Sequence, residues 1–156
     1  MILIKKMQMK HVDRVYEIEE SSFAVPWTKK DFYGEVRRKN AYYLVAVDDA
    51  TEYVAGYGGL WHIVNEGHIN NIAVDENYRR MGIGSLLVEG LIRLATNKKM
   101  IGLTLEVRMG NLAAYALYAK HGFKIEGIRK NYYSEPKEDA IIMWKKFNTE
   151  DTDETF

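Results

Sequence analysis

Apolar and polar positions divide the chain into short periodic segments. Ile2-Leu3-Ile4-Lys5-Lys6 predicts a strand. Over residues 9–22, Val12, Val15, Tyr16 and Ile18 with interleaved Glu17, Glu19 and Glu20 predict an amphipathic helix. Pro26 breaks the pattern in Ser21-Ser22-Phe23-Ala24-Val25-Pro26-Trp27. Thr28 with Asp31 forms a capping-box pattern, and a second helix follows to about Lys39. Strands are expected over Ala41–Val47, Tyr53–Ile63 and Gly67–Val74, joined by short turns as an antiparallel meander.

The period then lengthens. Ile83, Leu86, Leu87, Leu91, Leu94 and Ala95 lie on one face of a helix ending near Lys98. A strand over 101–107, a helix over 112–121 and strands over 123–129 and 139–147 complete the chain. This order predicts a mixed α/β sheet with helices on both faces. The connection from residue 74 through the long helix to residue 101 should be a right-handed parallel crossover.

Composition narrows the possibilities. The chain has 156 residues, enough for one domain with a sizeable core, and no cysteine. A cysteine nucleophile, a disulfide framework and thiolate metal sites are thereby excluded; the four scattered histidines have no ligand spacing, so no metal is expected. Basic and acidic residues balance at 22 each, which gives no support to general nucleic-acid or membrane affinity. Residues 148–156 hold Glu150, Asp151, Asp153 and Glu154 with no base, and are expected to form a disordered acidic tail after a domain at 1–147. The N-terminus lacks the layout of a secretory signal, and a cytoplasmic location is expected.

Chemistry concentrates in two places. In Arg79-x-x-Gly82-x-Gly84 the glycines open a helix whose free amides, beside Arg79 and Arg80, would attract a phosphate or pyrophosphate. Glycines at a helix start also serve close packing, and the pattern alone does not choose between these. In Leu105-Glu106-Val107-Arg108, Glu106 is either a partner for a neighbouring cation or a general base near a strand's end. Asn111 suits a helix cap, and Tyr118 an ordinary helix aromatic.

Together these segments resemble the GNAT acetyltransferases. The resemblance rests on Ile72-Ala73-Val74 before Arg79-x-x-Gly82-x-Gly84, on Glu106-Val107-Arg108-x-x-Asn111, and on Ala116-Leu117-Tyr118-x-x-x-Gly122-Phe123. It extends through Asn131-Tyr132-Tyr133 and Glu138 to Met143, covering about residues 2–147. Within that superfamily the chain is similar to the N-terminal protein acetyltransferases, both the bacterial RimI type and the archaeal and eukaryotic catalytic subunits.

The resemblance implies a GNAT fold and direct acetyl transfer from acetyl-CoA to the α-amine of a protein, including ribosomal or nascent chains. It implies that Ile72, Ala73 and Val74 pair with the pantetheine arm, and that Arg79, Arg80, Met81, Gly82, Ile83, Gly84 and Ser85 hold the pyrophosphate. Asn111 would hydrogen-bond the cofactor near its middle, and Tyr118 would protonate the departing thiolate. Glu106 leads as the base and His68 is a second candidate, against its alternative as a packed strand histidine. Phe23, Val25, Pro26 and Trp27, with Tyr132 and Tyr133, would flank the peptide's first residues. The first loop carries no glutamate, which suits a small or apolar first residue. A lysine or small-amine acetyltransferase and a non-catalytic acyl-CoA-binding module are the competing readings.

Overall fold

The computed structural model describes residues 1–147. The predicted acidic tail at 148–156 lies outside the described residues. The strands are β1 (Ile2–Lys6), β2 (Ala41–Asp48), β3 (Tyr53–Ile63), β4 (Glu66–Val74), β5 (Gly102–Arg108), β6 (Lys124–Ser134) and β7 (Lys137–Lys146). The helices are α1 (Val12–Ser22), α2 (Lys29–Arg37), α3 (Ile83–Asn97) and α4 (Leu112–Lys120). One seven-stranded sheet runs β1-β2-β3-β4-β5-β7-β6. Its pairings are antiparallel except β4 with β5, the predicted parallel crossover.

Strand β2 shows how both faces are covered. Tyr43, Val45 and Val47 enter a cluster with Val12, Val15 and Ile18 of α1 and Phe32 of α2. The intervening Leu44 and Ala46 enter a second cluster with Leu87, Val88, Leu91 and Ala95 of α3 and Tyr118 of α4. A strand buried on both sides reads as a continuous apolar run, as Tyr42 to Val47 does. Leu87 and Leu91 are fully buried, each contributing about 2 kcal/mol of transfer free energy.

Two boundaries differ from the sequence expectation. The first helix opens with a 3-10 turn at Met9–His11. The last hairpin is longer than expected, because Tyr133 pairs with Glu138 and Ser134 with Lys137 beyond the apolar stretch. Strand β6 is mostly exposed, so hydrophobic alternation carried little signal there.

Candidate active site

Strands β4 and β5 pair at only two positions, Gly67 with Leu103 and His68 with Thr104. Beyond them β4 continues to Val74 and β5 to Arg108 without facing each other in a ladder. Strand β4 keeps β3 on its outer side and β5 keeps β7, so the sheet splits without losing either strand. A bulge marks the divergence: Gly59 opposes Asn71 and Leu60 opposes Ile69, leaving Asn70 as the extra residue. Ile72, Ala73 and Val74 follow it along the inner edge. Their N–H and C=O groups on that side face the wedge. An exposed strand edge of this kind can pair with an extended ligand carrying amides.

His68 and Glu106 stand where the strands separate. His68 Nε2 lies 2.7 Å from Glu106 Oε1, with the side chains 26% and 13% exposed. The hydrogen bond from His68 holds the Glu106 carboxyl below its ordinary range, against the opposing effect of burial. Arg129 and the Tyr132 hydroxyl push the same way. Glu106 is therefore a carboxylate at neutral pH. A carboxylate beside an imidazole orients the ring and stabilises the imidazolium when the ring takes a proton.

Tyr118 is buried, its ring edge-on to Phe123 at 5.5 Å between centroids. Burial raises its phenol above the ordinary range, and Tyr133 adds to the rise. The group stays protonated at neutral pH and remains a donor.

The β4–α3 connection supplies the other end of the wedge. Gly82 is the N-cap of α3 in the left-handed region at φ 77°, and Arg80 precedes it at φ 65°. The first amide bonded back within the helix is that of Leu86, to the Gly82 carbonyl. The amides of Ile83, Gly84 and Ser85 therefore point out of the helix end. Arg79, Arg80 and Met81 are exposed around them. Gly84 has a different role: a Cβ there would come within 3.2 Å of Leu117, so this glycine sets the approach of α4 to α3. His121 Nε2, 3.1 Å from Ser85 Oγ, closes the same contact. Asn111 Oδ1 caps α4 through the Ala114 amide at 3.1 Å, leaving the amide nitrogen as its end for a ligand.

Two loops border the wedge on the α1–α2 side. In the first, Phe23 and Val25 are 38% and 66% exposed. Half-buried Pro26 and Trp27 form its foot, with the Trp27 ring against Phe32 at 5.5 Å and Tyr43 at 6.3 Å. In the second, Tyr132 and Tyr133 lie edge to face at 5.0 Å. Arg108 secures that hairpin. Its guanidinium donates to the carbonyls of Glu135 (2.9 Å) and Pro136 (2.8 Å) and to Glu138 (3.2 Å), and lies over the Tyr133 ring at 4.1 Å. Burial pushes the Tyr133 phenol up to about 12.

The structure adds two buried carboxylates: Glu19, which the sequence reading interleaved among the polar positions of the first helix, and Glu35, which it did not single out. Glu19 and Glu35 are 2% and 8% exposed. Glu35 accepts from Tyr43 Oη at 3.2 Å and from Trp61 Nε1. A signal was available: Glu19 is seven residues after Val12 and Glu35 three after Phe32, both on the apolar stripe of their helix.

Residues 12–123 match the model of the acetyltransferase (GNAT) family. The chain belongs to that family. Among GNAT relatives, a Bacillus subtilis chain provisionally named as a ribosomal protein bS18-alanine N-acetyltransferase is 42% identical over 146 residues, covering 93% of this chain and 95% of that one. The Escherichia coli [ribosomal protein bS18]-alanine N-acetyltransferase is 35% identical over 142 residues, covering 90% and 94%. A crystal structure of the Escherichia coli ribosomal-protein-S18-alanine N-acetyltransferase superimposes with a TM-score of 0.84 at 33% identity, covering 94% of each chain. Ard1 from Thermoplasma volcanium gives 0.83 at 30%, covering 94% and 98%. The predicted GNAT fold, a mixed and mostly antiparallel sheet between helices, is thus the observed one.

Proposed function

We propose that this GNAT protein transfers the acetyl group of acetyl-CoA to the α-amine at the start of a polypeptide, with a ribosomal protein N-terminus as the model substrate. The observation that carries this is the His68–Glu106 pair at the point where β4 and β5 part. The relatives named for acetylating the N-terminal alanine of bS18 support the choice of amine.

The residues present fit an acyl-CoA. The inner edge at Ile72, Ala73 and Val74 suits the two amides of a pantetheine arm. The α3 amides at Ile83, Gly84 and Ser85, reached across Gly82 and Met81 and flanked by Arg79 and Arg80, suit a pyrophosphate. Asn111 would donate to the carrier's middle. When bound, acetyl-CoA supplies an acyl group on a thioester carbon.

The protein's side chains then manage two protons. An α-amino group has a pKa near 8, so removing its proton at neutral pH needs only a modest base. His68 takes that proton, and Glu106 orients the ring and balances its charge. Tyr118 holds the proton destined for sulfur. Phe23 and Val25, with Tyr132 and Tyr133, would border a small first residue, with Pro26 and Trp27 fixing the loop. The catalytic unit is residues 1–147.

Thiol release with short peptides tests this reading. Each peptide carries one internal lysine and a free or blocked N-terminus, and mass spectrometry locates the acetyl group. Acetyl on the free α-amine alone is the expected result. Acetyl on lysine, or no turnover with either peptide, would overturn the assignment.

A further inference from the structure

Glu19 is among the most deeply buried charged side chains of the described residues and lies on the first helix. Three donors from three other segments converge on it. The Trp27 amide donates to Oε2 at 2.9 Å, Asn71 Nδ2 donates to Oε1 at 3.0 Å, and the Tyr57 hydroxyl donates to the same Oε1. Its own carbonyl accepts from the Phe23 amide at 3.1 Å. One residue therefore holds both ends of the 23–27 loop, Phe23 through the main chain and Trp27 through the carboxylate.

The other end of the network is the divergent strand. Asn71 follows the bulge residue Asn70 and precedes Ile72-Ala73-Val74. Its side chain is buried and reaches α1 because the bulge turns two successive asparagines to that side: Asn70 reaches Tyr43 Oη at 3.5 Å. The bulge that opens the wedge thus also presents Asn71 to Glu19. Burying a carboxylate is costly without such donors, and each donor would be left unsatisfied without the carboxylate.

From this we infer that Glu19 is a positioning residue that fixes the peptide-flanking loop to the cofactor-flanking strand, setting where a peptide's first residue lies relative to the β4 edge. This rests on the reading of the 23–27 loop as a peptide border. Trp27 and Asn71 are 44 positions apart in the chain, and Glu19 is their shared contact.

The test is steady-state kinetics with peptide and acetyl-CoA varied separately, on Glu19→Gln and on the double variant Glu19→Gln with Asn71→Asp. A glutamine cannot accept from both Trp27 and Asn71, since its NH2 confronts one of the donors. Glu19→Gln should raise the peptide KM roughly tenfold, with the acetyl-CoA KM within about twofold. The double variant exchanges amide and carboxylate, so residue 19 again accepts from Trp27 while donating to residue 71. It should return the peptide KM to within about threefold of the original. Tyr57→Phe, which deletes a single donor, gives a milder version should Glu19→Gln fold poorly.

An unchanged peptide KM in Glu19→Gln, or equal rises in both KM values that the exchange does not reverse, would overturn the inference. The unsubstituted protein run alongside separates the two claims. Failure to acetylate the free α-amine there would defeat the proposed function, whereas normal turnover with no KM split would defeat only the role of Glu19.

Discussion

His68 Nε2 and Glu106 Oε1 are 2.7 Å apart across two strands whose backbones pair beside His68 and nowhere further along. Residues acting as one unit lose function non-additively. His68→Ala and Glu106→Gln should each lower kcat/KM by about 10²-fold, and the double variant should be little worse than the poorer single one. Independent, multiplying losses in the double variant would separate the two residues' roles.

The same pair ties stability to pH. Glu106 has a folded-state pKa below its unfolded value, so its ionised form stabilises the fold above the unfolded carboxylate value of about 4.3. That contribution disappears as the pH falls through the lower folded value. Glu106→Gln should therefore be less stable than the original protein at neutral pH, with the gap closing in acid. Urea midpoints from pH 7 down to 3 would show it, and a constant gap would contradict the assignment.

Tyr118→Phe keeps the ring against Phe123 and removes only the hydroxyl. It should lower kcat by about 10²-fold with little change in either KM or in the thermal midpoint. A thermal midpoint that falls sharply would make the hydroxyl a structural group instead.

Gly82 has φ 77° and open space where a Cβ would stand. Gly82→Ala should therefore suffer backbone strain of about 1 kcal/mol without a clash. It should also raise the acetyl-CoA KM and leave the peptide KM alone, as expected for a residue that shapes the start of α3. Equal effects on both substrates would place the loop outside the acyl-CoA site.

Arg108→Ala removes the donor that joins the Glu135 and Pro136 carbonyls and takes the cation off the Tyr133 ring. Loosening this hairpin should raise the peptide KM roughly fivefold. An unaffected peptide KM would show that Tyr132 and Tyr133 need no such support.

The sequence by itself determined the elements and their order, because each announces its environment locally. Ala41 to Val47 reads as a strand, and Ile83 to Ala95 as a helix with one apolar stripe. Gly82, Gly84 and the charge of Glu106 within an apolar strand stood out locally, whereas Tyr118 was singled out only by the resemblance to the GNAT family, since an aromatic on a helix carries no local mark of its role. Only the tertiary structure decided which residues meet. His68 and Glu106 are 38 positions apart and become partners only through the parallel crossover. The pairing of β4 and β5 stops after two residues because a bulge turns one strand away, and no periodicity in either strand predicts that stop. Glu19 looked like one of several solvated acids. It became a buried anchor because donors from β3, β4 and a loop converge on it, and long-range hydrogen bonding leaves no trace in local sequence.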